Sequence, residues 1–343
     1  MKRVSIGLGA LMAAVMLAPA SAQDVQKQDL QKQDLQKQDL QKQDLQKLSI
    51  VVFGSPSLGA FLPPVIKAQK LDEKNGLSIS FEERTPDAYT AQFNSGEFQL
   101  GGSAALLTVG LADVRGVKVT YLFNLFDFWG TVVTSRPEVN SLKDIEGKDL
   151  AAAKGTTNYV MFDWFARQLG ADTGKFSVVN TATPGLVGYA LADRATAIQI
   201  WEPAYTTLHA KKPGIKMLDL KIAESWQKAT GSRNIPYLGV AAHVEWAEKN
   251  KALIPKLYAA YREAGEWTAA HPDDAARLIM AKGTDDDRKA IAELIRSNDR
   301  LGMNIRTAAE VGKEIKSVFD AGRSIAFLPS DPSPATIYNG PMK

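Results

Sequence analysis

An α/β fold, with parallel-type sheets covered by helices, is predicted by three features of the chain. Short apolar strands alternate with helical stretches from residue 49 onward, and turns rich in glycine, serine or threonine follow strands and open helices. One strand–turn–helix unit, residues 148–170, carries all of these signals in order. Residues 149–153 read as a strand, 154–158 as a turn, and the stretch holding Met161, Phe162, Trp164, Phe165 and Leu169 as a helix stopped by Gly170. Gly155 is expected to turn the backbone sharply, and Thr156 or Thr157 to cap the first turn. The free N–H groups of such a helix start, with the helix dipole, favour a negative group by roughly 0.3–1 kcal/mol, and up to about 2 when partly buried. Capped helix starts recur throughout α/β proteins, so this seat gains meaning only if other stretches converge on it.

Taken in order, residues 1–22 begin with Lys2 and Arg3, continue through an apolar run to Leu17, and end on Ala20 and Ala22. That is the pattern of a secretory signal peptide cut before Gln23. Residues 23–47 carry a repeat of Gln-Lys-Gln-Asp-Leu. A five-residue period advances about 140° per repeat on a helix, so Leu30, Leu35, Leu40 and Leu45 spiral around the axis and form no stripe. The segment reads as a disordered or fitfully helical polar tether, with a coiled coil as the sharper alternative.

The folded part is expected to open near Leu48. Residues 49–53 read as a strand, 54–57 as a loop, and the stretch to Lys70 as a helix with Pro63 and Pro64 in its first turn. A strand at 77–81 is followed by a helix capped by Asp87 and ending at 94–96. A third strand at 98–101 then runs into a helix start at Gly102-Ser103-Ala104-Ala105. After a strand at 117–123 comes an aromatic loop, 124–130, and a strand at 131–134 leads to the central unit. Strands at 176–180, 197–200 and 237–242 follow, with a helix near 188–192, mostly helical sequence to Ile325, and a loose tail, 326–343.

The formal charge is +3 at pH 7, and loss of Lys2 and Arg3 lowers it by two, so no field argues for nucleic acid or an anionic membrane. There is no cysteine. Thiolate metal sites, catalytic cysteine, redox chemistry and a lipid-anchored N-terminal cysteine are thereby excluded, and retention of an unanchored exported chain favours a Gram-negative periplasm. His209, His243 and His271 form no His-Glu-x-x-His pair, and no phosphate-binding Gly-x-x-x-x-Gly-Lys loop occurs, so neither metal nor cofactor is expected.

Several stretches together carry a resemblance: residues 96–101 before Gly102-Ser103, residues 141–148, Lys154-Gly155-Thr156-Thr157, and Ile200-Trp201-Glu202-Pro203. In this order and spacing the chain resembles the periplasmic substrate-binding proteins of the nitrate/sulfonate/taurine class of ABC importers, over about 49–321. The resemblance implies a two-lobe periplasmic binding protein of type II, with lobe one at 48–131 plus 240–325, lobe two at 132–239, and the strands 131–134 and 237–242 as crossover hinge. It further implies a monomer that delivers a small organic anion to an ABC transporter permease in the inner membrane.

The implied pocket takes Ser55, Ser57, Gly102, Ser103, Phe128 and Trp129 from lobe one. From lobe two it takes Thr156, Thr157, Asn158, Trp201 and Glu202. Neutral hydroxyls and N–H groups hold an anion by hydrogen bonds alone, while aromatic rings enclose its organic part. For each there is a plainer reading: Trp129 and Trp201 as core, and the serines as helix caps. Glu202 would repel an anion, so it either pairs across the cleft with a lysine or arginine or binds a ligand amine. Arg84 either reaches the cleft or forms a surface pair. An aromatic carboxylate or a pyrimidine is the alternative ligand. A pyrimidine-precursor synthase is the enzymatic alternative, opposed by the absence of cysteine. Gly101-Gly102-Ser103-Ala104-Ala105 lacks the last glycine of a nucleophile elbow.

Overall fold

The structure is a computed structural model and describes residues 45–342. The expected signal segment and nearly all of the repeat tether lie outside the described residues. The strands are β1 (Gln46–Phe53), β2 (Leu77–Arg84), β3 (Leu100–Ala105), β4 (Val119–Asp127), β5 (Gly130–Thr134), β6 (Asp149–Ala152), β7 (Ser177–Asn180), β8 (Ala197–Trp201), β9 (Lys216–Leu218), β10 (Pro236–His243) and β11 (Met303–Thr307). They form a six-stranded sheet, β11-β4-β10-β3-β1-β2, and a five-stranded sheet, β7-β6-β8-β5-β9. Within the first, β1 runs parallel to β2 and β3; within the second, β6 runs parallel to β7 and β8. In the first sheet β10 and β11 run antiparallel to β4, and in the second β5 runs antiparallel to β8 and β9; β10 and β5 each border a crossing between the sheets. This is the predicted two-lobe α/β architecture.

Several boundaries differ from the sequence reading, each for a physical reason. Gln46 and Lys47, assigned to the tether, open β1 and pair with Leu77 and Ser78, because backbone pairing needs no apolar pattern at a strand's first residues. Gly102 and Ser103 start no helix. They lie inside β3, every residue of which is buried, and the helix begins only at Leu106, with no side-chain cap. Small residues are required there because both faces are crowded. A Cβ on Gly101 would come 2.3 Å from Tyr89 Oη, and one on Gly102 2.9 Å from Tyr261 Oη. Thr85 rather than Asp87 caps the Pro86–Asn94 helix.

The stretch 124–127 is strand, not loop. Asn124, a residue depleted in strands, is fully buried at a bulged register. Its Nδ2 donates to Asn304 O at 2.9 Å, and its Oδ1 accepts from Tyr121 Oη at 2.9 Å and from Tyr237 N at 3.2 Å. The strand 131–134 does not cross between sheets, since β5 pairs wholly within the second, and β10 lies wholly in the first. The crossing residues are Phe128-Trp129 and 231–235, and the two crossings are tied by Phe128 N–H donating to Ile235 O at 2.7 Å.

The final segment is packed rather than loose. Leu328 is fully buried, Ser333 N and Oγ donate to Asp113 at 2.7 and 2.9 Å, and Tyr338 N donates to Tyr121 O at 3.1 Å. No helix among the described residues is long and apolar enough to cross a membrane.

Candidate functional site

The helix Thr157–Gln168 is apolar around most of its circumference, and a helix of that kind is buried on more than one side. Tyr159, Phe162 and Ala166 join the core of the second sheet with Val132, Leu150 and Ala152. Val160, Met161, Trp164 and Phe165 join the core built on the first sheet, where the helix meets the Leu106–Val114 and Gly312–Ser324 helices. Its first turn is therefore enclosed between the lobes. Thr156 is the cap: its Oγ1 accepts from Tyr159 N at 3.2 Å and donates to Ala153 O at 2.8 Å. Gly155 is not in a left-handed conformation, and a Cβ there would meet nothing, so this turn does not require glycine.

Beside the cap lie two polar side chains only 2% exposed, Thr157 and Asn158. Asn158 Nδ2 donates to Tyr237 Oη of β10 at 2.5 Å, which joins the helix start to the first sheet. Thr157 Oγ1 and Asn158 Oδ1 have no hydrogen-bond partner among the described residues. Buried polar atoms are almost always paired, so these two leave hydrogen-bonding capacity unused at one helix N-terminus. Phe128 adjoins this group, its ring stacked on Phe165 at 5.8 Å and edge-on to Tyr237 at 6.0 Å. Burial pushes the Tyr237 phenol up, so it stays neutral at ordinary pH.

The other predicted residues fall into two further groups. Glu202, 1% exposed, accepts from Arg300 Nε at 2.8 Å and from Thr206 N at 3.0 Å, so both carboxylate oxygens are engaged. The Arg300 guanidinium lies 5.8 Å from the ring centre of Trp129 and 5.3 Å from that of Tyr205. Of the two readings of Glu202, this geometry is the pair with an arginine from the other lobe; Arg300 precedes β11 of the first sheet. Trp201 is buried in the same cluster. In the third group, Ser103 Oγ accepts from Phe53 N at 2.8 Å, and Ser57 caps a short 3-10 helix and donates to Phe53 O at 3.2 Å. Ser55 is exposed on the loop between. Among the described residues no hydrogen bond links these three groups. Arg84 pairs locally, with Gln92 at 2.9 Å and Glu82 at 3.6 Å.

A pocket of about 380 Å³ lies against the crossing residues, and of the predicted positions only Phe128 and Trp129 line it. Its charged walls are Asp127, Asp219 and Asp299 against Arg233. Asp127 ends β4 and accepts from Asn124 Nδ2 at 3.1 Å and Asn304 Nδ2 at 2.8 Å. Burial is the larger influence and pushes its carboxyl up from 3.8 to about 6. A raised carboxyl stabilises the fold when protonated, and that contribution is lost as pH rises through the folded-state value. Relative to Asp127→Asn, the wild type is expected to gain about 2 kcal/mol of unfolding free energy between pH 7 and pH 4, read from urea midpoints. A pH-independent difference between the two proteins would contradict it.

A family model described as NMT1/THI5 like matches residues 67–275. No curated protein matches the chain. Solved structures do. The Escherichia coli periplasmic aliphatic sulphonate binding protein SsuA superposes with a TM-score of 0.67 at 17% identity, over 88% of this chain and 94% of that one. The alkanesulfonate-binding protein SsuA from Xanthomonas axonopodis pv. citri, bound to MOPS, gives 0.67 at 14% identity over 85% and 98%. The Candida albicans CA3427 product, described as having the generic periplasmic binding protein fold, gives 0.63 at 16% identity over 87% and 97%.

Proposed function

We propose, from the premise that the chain belongs to the NMT1/THI5-like family and has a periplasmic binding protein fold, that it is the solute-binding component of an ABC importer. In this reading it is exported to the periplasm, captures a small organic anion between its lobes, and delivers it to a permease without chemical change. The observation that carries it is the enclosed first turn of the Thr157–Gln168 helix, with the unpartnered Thr157 hydroxyl at its positive end. An anion is favoured there by the dipole and held by neutral donors. The open pocket at the crossing suits an anion less, because three carboxylates face one guanidinium on its walls. Solved relatives of the same fold described as sulfonate-binding support a sulfonate-like group. An enzymatic role finds little support in Ser103, whose hydroxyl is held within the sheet by Phe53 N–H.

The test is ligand binding by variants of the helix start. Thr157→Val is expected to weaken anion binding about tenfold to a hundredfold, the range for a hydrogen bond to a charged group, and to leave the ligand-free midpoint unchanged because no protein partner is lost. Thr156→Val removes a cap and is expected to cost about 1 kcal/mol of stability as well. Unchanged affinity in Thr157→Val would move the site elsewhere.

A further inference from the structure

Gln199 lies in β8, is 0% exposed, and has neither Oε1 nor Nε2 hydrogen-bonded among the described residues. Its place follows from register. It pairs antiparallel with Val132 of β5, and residues directly opposite share a face. Val132, together with Ala197 two residues before Gln199, packs into the core that Tyr159 and Phe162 cover. The Gln199 side chain therefore points to the face beneath the Thr157–Gln168 helix. Along the strands, Ala151 pairs with Ile198, so Gln199 is level with Ala152, the last residue of β6. From Ala152 the chain turns directly into the helix start. The register thus places the orphan amide on the second-sheet side of the turn whose other side carries the orphan Thr157 Oγ1 and Asn158 Oδ1.

We propose that Gln199 is part of the ligand seat and selects an anion that carries an N–H donor beside its acceptor oxygens. This rests on the reading of the helix start as the ligand site. The physical reason is the inventory of unpaired atoms: Gln199 brings a carbonyl and two N–H donors, Asn158 a second carbonyl, and Thr157 a hydroxyl of either sense. A plain alkanesulfonate or nitrate offers acceptors only. It offers acceptors to the helix N–H groups, Thr157 and the Gln199 N–H, but no donor to the Asn158 and Gln199 carbonyls. Leaving such a group unpaired costs about tenfold or more in affinity. An ammonium or amide N–H on the ligand removes that penalty and makes the preference.

The test uses the full chain and two isosteric probe pairs that exchange N–H for C–H: oxamate with pyruvate, which have the same charge, and taurine with 1-propanesulfonate, in which the ammonium also adds a positive charge. Affinities are measured by calorimetry for the wild type, Gln199→Met and Thr157→Val. The N–H member of a pair is expected to bind the wild type at least about tenfold more tightly, and that preference is expected to collapse in Gln199→Met. The ligand-free midpoint of Gln199→Met should stay level or rise, because no hydrogen bond within the protein is lost; a purely structural amide would lower it. In Thr157→Val both members of a pair should weaken alike with the preference kept. Equal binding of both members, a preference that survives in Gln199→Met, or binding of neither N–H probe overturns the selection by Gln199. The first two results leave the helix start as the anion site so long as Thr157→Val still weakens binding; if Thr157→Val binds like the wild type, the site reading itself fails. A trapped water serving the amide alone would show as an unaltered preference.

Discussion

Phe165→Ala is expected to lower the unfolding free energy by about 3–5 kcal/mol, the range for truncating a fully buried phenylalanine. The lost transfer energy of the ring accounts for part, and the cavity that neighbours cannot close accounts for the rest. Those neighbours are unable to collapse inward because each is held by another aromatic contact. Phe165 stacks on Phe128 at 5.8 Å, meets Trp164 edge-on at 4.9 Å, and lies 6.2 Å from Trp226, which itself contacts Trp164 at 5.3 Å. Phe128 is moreover a crossing residue whose backbone is bonded to Ile235 in the other crossing. The void would thus open where both lobes and both crossings meet, and the variant is expected to lose ligand affinity as well as stability. Phe162→Ala is the control, since that ring is equally buried but faces the core of the second sheet. Urea unfolding of both variants, with coincident fluorescence and circular dichroism transitions, checks the claim. A cost below about 2 kcal/mol for Phe165→Ala would show that the outer face of the helix is not packed into the first lobe.

The central strand–turn–helix was legible because its signals are local. The cap at Thr156, the run of apolar residues and the stop at Gly170, which adopts φ +75, all act within a few residues of one another. What the sequence reading missed depends on distant partners. Gly102-Ser103 resembles a helix start by composition, yet Tyr261, brought in from a helix far along the chain, together with Ile50 and Val52 of β1, demands a small residue in a strand there. Asn124 and Asp127 look like loop residues until Asn304 and Tyr237 are seen to satisfy them. β9 has only three residues, and β11 is half-buried throughout, too weakly patterned to stand out within mainly helical sequence. In the candidate site, Thr157 and Asn158 could be singled out because a helix N-terminus advertises its own chemistry. Gln199 could not, since an amide inside an apolar strand declares nothing until its face and its missing partners are known. The charge of Glu202 announced a need for a cation but not which one, and Arg300 lies 98 residues further on.

That pair yields the second large effect. Arg300→Met keeps much of the side chain's length but leaves the Glu202 carboxylate, 1% exposed, with only the Thr206 N–H. Breaking a buried ion pair from one side costs roughly 3–5 kcal/mol, and the 39% exposure of the Arg300 side chain places the expectation near the lower end, about 3 kcal/mol. Adding Glu202→Gln should restore a large part, because the uncompensated charge rather than the lost attraction dominates the cost; the double-mutant cycle measures the difference. The pair also bears on movement. Glu202 follows β8 of the second sheet, whereas Arg300 precedes β11 of the first, and the guanidinium is covered by Trp129 at the crossing and Tyr205 in the second lobe. If the lobes separate to release ligand, this contact must break, since its two halves belong to different lobes. The charge-neutral double variant should then have a larger ligand-free radius of gyration by small-angle scattering than the wild type, and weaker binding with Thr157 untouched. A radius and an affinity equal to the wild type's would mean that the pair moves with one lobe and only stabilises it.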